Sequence, residues 1–308
     1  MVKYICEKCG KEFSNKFRYD SHNKRKTPCK KVRDVIQTTG LKRKTIDKYY
    51  TSEIIVNECI NKINEKIKIN EKDLCIEPSA GNGSFIKGIK SLFDNYKFYD
   101  IEPDNEMIIK QDYLELDYNR SIKEFKKVHV IGNPPFGRQS SLAIKFIKKS
   151  CEYADSISFI LPKSFKKESL KKHFPLNYHL VYEYDLPKNA FLVDDVVYDV
   201  PCVFQIWIKR TTNREKPEKQ VPTNYKFVKK DENPDISFRR VGVNAGNIDK
   251  STENKSIQSH YFIKLDIKLT DSLLKKLNKI DYECKNNTCG PKSISKQELI
   301  KEFNNIIR

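Results

Sequence analysis

The sequence predicts an α/β protein: a seven-stranded sheet with helices between its strands, preceded by a small ββα unit. Three observations carry this. Seven short apolar runs recur between residues 74 and 208, separated by polar, helix-compatible stretches. The first runs into a glycine-rich turn, Glu77-Pro78-Ser79-Ala80-Gly81-Asn82-Gly83, and then a helical stretch; α/β folds build ligand sites on that order of strand, turn and helix. The first 29 residues carry Cys6, Cys9 and His22 at spacings that close a hairpin and a helix around a metal.

The 308 residues allow one large domain plus something small. No apolar run reaches the 18 residues of a membrane span, and the opening MVKYICEKCGKEF lacks the apolar segment of a signal peptide. Nine scattered cysteines, an odd number, argue for a reducing, intracellular setting rather than a disulfide framework. The mean hydropathy of −0.68 describes a very polar surface. Lys and Arg number 59 against 41 Asp and Glu, a net charge of +18 that would attract a polyanion, nucleic acid first. A Lys-, Ile- and Asn-rich composition from AT-rich coding would produce part of the same surplus.

Residues 1–30 form the first predicted domain. His22 follows Cys9 after twelve residues, and Tyr4, Phe13 and Tyr19 fall where such a unit needs its only apolar core. The segment resembles a C2H2 zinc finger. It departs at the last ligand: six residues separate His22 from Cys29, with Pro28 ending the helix between them. The expected set is Cys6, Cys9, His22 and Cys29 around one structural Zn2+. Asn15, Arg18 and Ser21 would face outward, where fingers of this type read bases; a protein-binding role suits one finger equally well.

Residues 31–42 read as a basic linker and 43–210 as the large domain. Tyr50-Thr51 leads into a helix with apolar residues at Ile55, Val56, Cys59, Ile60 and Ile63, and Thr51 or Ser52 caps it. Leu74-Cys75-Ile76 is the first strand. The acid that ends it, Glu77, suits a cationic ligand group, and Gly81 and Gly83 let a ligand approach the backbone. The second strand, 97–99, ends in Asp100-Ile101-Glu102-Pro103, which puts two acids where α/β folds hold a ribose diol. The third, 107–110, precedes Asp112-Tyr113. The fourth, 128–131, ends in Gly132-Asn133-Pro134-Pro135-Phe136, where two prolines stiffen the backbone and free its carbonyls. Strands at 157–162, 180–184 and 203–208 complete the seven.

The string from Glu77 to Phe85, the acids at successive strand ends and Asn133-Pro134-Pro135-Phe136 resemble the motifs of adenine-N6 DNA methyltransferases of the restriction-modification type. The resemblance covers about residues 43–210. It extends to methyltransferases of large DNA viruses that carry an N-terminal finger. It implies a Rossmann-like, seven-stranded class I methyltransferase domain using S-adenosyl-L-methionine. Tyr50, Thr51, Glu77, Pro78, Gly81 and Gly83 would contact that cofactor. Asp100 would hold its ribose, Asp112 its adenine amino group and Tyr113 its adenine face. Asn133 and Pro134 would accept from the target N6–H, Pro135 would hold the turn and Phe136 would stack on the flipped base. Arg138, just past the motif, joins Asn15, Arg18 and Ser21 as a nucleic-acid contact. DNA and a cognate restriction endonuclease are the implied partners, in a host cytoplasm for a viral protein. The same motif also serves RNA bases and protein glutamine, and a non-catalytic DNA-binding protein is a third reading.

Residues 211–308 are expected to be a linker and an extension without a sizeable target-recognition domain. Residues 211–235 read as linker, 238–243 and 261–265 as strands, and Ser295-x-x-Glu298 as the capping box of a final helix. Cys284, Cys289 and His260 read as stray groups rather than a second metal site.

Overall fold

The computed structural model describes residues 4–6, 12–24, 50–118, 122–193 and 196–307. Chain contacts divide it into two units, Met1–Ile46 and Asp47–Arg308. In the first, β1 (Tyr4–Ile5) pairs antiparallel with β2 (Glu12–Phe13), and α1 (Lys16–Asn23) follows. Tyr19 packs on Tyr4 and Phe13, with ring centroids 5.9 and 6.0 Å away, and Phe13 lies 4.8 Å from His22. The expected ββα shape and aromatic core are both present.

The second unit opens with β3 (Tyr50–Thr51) and α2 (Glu53–Lys66). Ile55, Val56, Cys59, Ile60 and Ile63 form the buried stripe of α2, at the helical spacing the sequence has. Next come β4 (Leu74–Glu77), α3 (Ile86–Leu92), β5 (Asn95–Asp100), β6 (Ile109–Lys110), β7 (Val128–Gly132), α4 (Ser141–Cys151) and β8 (Ser156–Pro162). After these follow α5 (Glu168–Lys171), β9 (Tyr178–Asp185), β10 (Phe191–Val193), β11 (Val196–Tyr198) and β12 (Cys202–Lys209). The large sheet has the order β6-β5-β4-β7-β8-β12-β9. The first five strands run parallel, and β12 lies antiparallel between β8 and β9. β4, β7 and β8 are buried at every residue, as strands covered on both faces must be.

Strand order reverses direction between β4 and β7, so a crevice opens beyond their C-terminal ends, where open α/β sheets bind ligands. A further three-stranded sheet, β11-β10-β3, pairs Thr51 with Phe191 and Tyr50 with Leu192. The hairpin in it has no counterpart in the sequence reading.

The tail is a folded module with its own sheet and core, where the sequence reading had a linker and separate elements. β13 (Tyr225–Val228), β14 (Ile236–Arg239), β15 (Ile248–Asp249) and β16 (His260–Leu265) form a four-stranded antiparallel sheet of order β13-β16-β14-β15. α6 (Asp271–Asn278) and α7 (Lys296–Ile306) complete it around a separate core that includes Phe238, Ile263, Leu299 and Phe303. β13 falls inside the stretch expected to be linker. Its partner is β16, far along the chain, so no local turn signal marks the pair. The capping box forms: Ser295 Oγ accepts from Glu298 N at 3.3 Å, and Glu298 Oε2 accepts from Ser295 N at 2.7 Å. Lys167 Nζ ties this module to the large sheet through Ser293 O (2.7 Å) and Glu298 (3.3 Å), and Cys289 Sγ donates to Pro201 O. No helix among the described residues is long and apolar enough to cross a membrane.

Candidate active site

Four segments distant in sequence meet where β4 and β7 end. Glu77 closes β4, and burial leaves it 2% exposed. Its Oε2 has no hydrogen-bond partner among the described residues. Burial, and then the charge of Asp100, push its carboxyl up to about 8. Gly81 follows at φ +55°, with its N–H donating to Asp100 Oδ2 at 2.8 Å and its carbonyl accepting from Asp104 N at 3.0 Å. A side chain at Gly81 would stand 3.2 Å from the Tyr50 ring, which therefore lies directly on the turn. Tyr50 OH donates to Asp104 Oδ2 at 2.5 Å, completing the enclosure.

Thr51 Oγ1 accepts from Asn133 Nδ2 at 3.3 Å, and Ser79 Oγ donates to the Asn133 carbonyl at 3.3 Å. The Asn133 side chain is thus held by β3 and its backbone by the glycine turn. With Nδ2 committed to Thr51, the amide has a fixed orientation and Oδ1 is its accepting end. Pro134 is buried and Pro135 half-buried behind it. Pro78 is buried beneath the turn, and Gly83, at φ +86°, has Ile86 Cδ1 2.6 Å from where a Cβ would stand. The structure therefore brings together Tyr50, Thr51, Glu77, Pro78, Gly81, Gly83, Asp100 and Asn133.

The remaining predicted positions are placed differently. Asp100 Oδ1 accepts from Glu102 N and Oδ2 from Gly81 N, both at 2.8 Å, so this carboxylate shapes the turn as well as facing the crevice. Asp112 Oδ1 accepts from Leu114 N at 2.8 Å and caps a single 3-10 turn. Tyr113 corrects an expectation. Its ring is 1% exposed, stacks on Phe146 with centroids 5.4 Å apart, and hydrogen-bonds Ser150 Oγ at 2.7 Å and Tyr153 OH, so it is core rather than a ligand platform.

Phe136 is 9% exposed, and its carbonyl accepts from Leu142 and Ala143 N–H at the start of α4. That much burial leaves no open face for a base to stack on. The adjoining loop holds Gly137 at φ +67°, Gln139 at +54° and Ser140 at +62°. Two non-glycine residues in that region store strain next to the motif. Arg138 in the same loop is exposed. In the first unit, Asn15, Arg18 and Ser21 are all exposed, and Asn15 is also the N-cap of α1: its Oδ1 accepts from Arg18 N at 2.9 Å, a structural use the sequence reading did not assign. Cys6 is buried and accompanies His22 in the unit, while Cys9 and Cys29 lie outside the described residues. Among the described residues no group of three metal-ligating side chains occurs.

Sequence reasoning missed Ser79 and Asp104. Nothing in the chain distinguishes Ser79 from an ordinary turn serine, or Asp104 from a solvated loop acid. His129, Ser156 and Asp73 have the residue types of a nucleophilic triad, with Nδ1 2.7 Å from Ser156 Oγ and Nε2 3.2 Å from Asp73 Oδ2. They sit at the opposite, N-terminal ends of β4, β7 and β8, each 2% exposed or less, and link strands rather than meet a substrate.

The residues at the crevice fit S-adenosylmethionine. A buried carboxylate oxygen without a partner suits a cationic amine, and the two glycines allow the tight turn that brings it to the crevice. No family model matches the chain. The ribosomal RNA small subunit methyltransferase A of Mycoplasma capricolum is 26% identical over 201 residues, which cover 59% of this chain and 75% of that protein. Its Mycoplasma mycoides counterpart is 25% identical over the same span. Among solved structures, the type I restriction-modification methyltransferase subunit of Streptococcus thermophilus is 15% identical with a TM-score of 0.41, covering 55% of this chain and 47% of that one. The 23S rRNA methyltransferase ErmE is 13% identical with a TM-score of 0.39, covering 52% and 70%. The strand order, the geometry at the switch point and the mycoplasma relatives identify an S-adenosylmethionine-dependent methyltransferase with the class I fold.

Proposed function

We propose that the protein transfers a methyl group from S-adenosylmethionine to N6 of an adenine flipped out of DNA. One observation carries this reading: Asn133 at the end of β7, ahead of two prolines, with its side-chain amide held by Thr51 and its backbone carbonyl by Ser79. The cofactor supplies an electrophilic methyl on its sulfonium. An exocyclic adenine amine is a poor nucleophile because its lone pair is conjugated with the ring. Asn133 Oδ1 and the Pro134 carbonyl would accept from the two N6–H groups, draw the nitrogen towards sp3 geometry and release that lone pair to attack the methyl carbon; the sulfur–methyl bond would break to leave S-adenosylhomocysteine, and N6 would lose one proton to solvent after transfer. Glu77 receives the cationic amine of the methionyl moiety, and Asp100 the ribose hydroxyls. Asp112 contributes its remaining acceptor capacity to the adenine. Admission of the target base requires the strained segment 137–140 to shift, which uncovers Phe136 for stacking.

The net charge of +18 and exposed Arg138, Arg18 and Ser21 support a nucleic-acid substrate. Cys6, Cys9, His22 and Cys29 form the zinc site of this reading, and metal analysis finding less than about one zinc per chain would refute it. A cognate restriction endonuclease is the partner that a DNA-modifying role implies.

The mycoplasma relatives, named for ribosomal RNA methylation, favour a second reading in which the adenine belongs to RNA. Methyl-labelled S-adenosylmethionine offered with DNA, RNA and protein in parallel separates the two, with Asn133→Ala as control. Label in DNA that disappears in the variant is the expected result; label confined to RNA installs the second reading in its place.

A further inference from the structure

The C-terminal module carries a pocket that the methyl-transfer site does not use. β13 pairs with β16 so that Phe227 lies opposite Ile263, two residues from Tyr261, and Phe227 and Tyr261 share one face of the sheet. Their half-buried rings meet edge to face with centroids 5.7 Å apart. Lys296, exposed at the first position of α7, holds Nζ 4.6 Å from the Phe227 centroid and 5.8 Å from that of Tyr261. The Arg240 guanidinium lies 5.3 Å from the Tyr261 centroid. Phe227, Tyr261 and Lys296, together with Lys229, Lys230 and one acid, Asp231, bound a cavity of about 420 Å³, within the range of sites for a molecule the size of a nucleoside.

Charge chooses the occupant. Lys229, Lys296 and Arg240 form no ion pair among the described residues, and Lys230 Nζ bonds only a carbonyl, that of Lys255. Residues 211–308 hold 20 Lys and Arg against 13 Asp and Glu. Aromatic rings beneath unneutralised cations form a surface on which a base stacks while its phosphates meet lysine. Location fits as well. The module is tied to the large sheet at Lys167 and Pro201, beside the C-terminal end of β8, the same end of the sheet at which Asn133 stands.

We propose that this pocket, floored by Phe227 and Tyr261 and rimmed by Lys229, Lys230 and Lys296, binds an unpaired base of a DNA strand and so holds the strand beside the methyl-transfer site. The proposal rests on the nucleic-acid reading of the active site and fails separately from it. The experiment uses the full chain without cofactor and a single-stranded DNA oligonucleotide carrying 2-aminopurine. The expected result is fluorescence quenching on binding, retained in Asn133→Ala and lost in Tyr261→Leu. Anisotropy should give at least a tenfold weaker Kd for the triple surface variant Lys229→Gln/Lys230→Gln/Lys296→Gln, with S-adenosylhomocysteine affinity and thermal midpoint unchanged. Should Tyr261→Leu not fold, the surface variant decides alone. Unchanged affinity in that variant, no binding of the oligonucleotide by the parent protein, or tighter binding of an acidic peptide or of RNA of the same sequence overturns the proposal. Pocket-dependent binding without methyl transfer to DNA would refute the proposed reaction and leave the pocket standing.

Discussion

Glu77 brings a carboxyl to the end of β4 with one oxygen unpartnered and a proton affinity displaced from an ordinary 4.5 to about 8. Between those two pH values an unfolded chain is ionised there while the native protein still holds the proton. Native stability from this group therefore falls as pH rises through that window. Binding of a cationic amine runs the other way, because the amine needs the carboxylate. S-adenosylhomocysteine, which keeps the amine, should bind more tightly from pH 6 towards pH 8, by up to about tenfold per unit. Glu77→Gln should flatten that dependence, and calorimetry showing equal slopes in both proteins would refute the assignment. Asn133→Ala should lower the transfer rate by about 100-fold or more and leave S-adenosylhomocysteine affinity within about twofold, measured by labelled transfer and calorimetry. Glu77, the two glycines and Asn133 were legible in the sequence because each residue type is required by chemistry at its own position. The core placement of Tyr113 and the capping role of Asn15 were not. An aromatic ring after a strand looks the same whether it faces a ligand or packs on Phe146, and an asparagine before a helix serves as cap or contact according to where its side chain turns.

Elements show the same division. β4, β7 and β8 declare themselves as short apolar runs, because both of their faces are covered. β10 and β11 do not: three residues each suffice when the partner is the two-residue β3, and no turn dipeptide announces them. Close packing of helices is likewise invisible in sequence. A Cβ on Gly88 of α3 would stand 2.5 Å from Ile60 Cγ1 of α2. Gly88→Ala should therefore destabilise the protein by about 1–3 kcal/mol through overpacking, although alanine is the better helix former. Urea unfolding that finds the variant as stable as its parent would exclude a tight contact between these helices.

For the whole molecule, the strands of the large sheet could be read from periodicity and motifs, and in the tail so could the strand ending at Leu265 and the capped helix after Ser295. The sheet that joins the tail's elements could not, because its strands pair out of sequence order and no local window shows which strand meets which. The tail's cations and those near Arg138 act through the field of the chain as well as through contacts. DNA affinity should fall by about 1,000-fold or more between 50 and 200 mM salt, if six or more phosphates are neutralised. A salt-independent Kd in anisotropy titrations would rule out phosphate contact as the source of binding.

The pairing of Thr51 with Phe191 also bears on synthesis. A ribosome makes the Tyr50 cover, the glycine turn and the Asn133 motif early, yet β10, which fixes β3 over them, emerges only after β8 and β9. Closing so long a loop is slow compared with pairing neighbours. The nascent chain therefore owns every part of its cofactor site before it owns the site. Ligand added to stalled ribosomes should protect from protease only those chains whose residues past Tyr198 have left the exit tunnel.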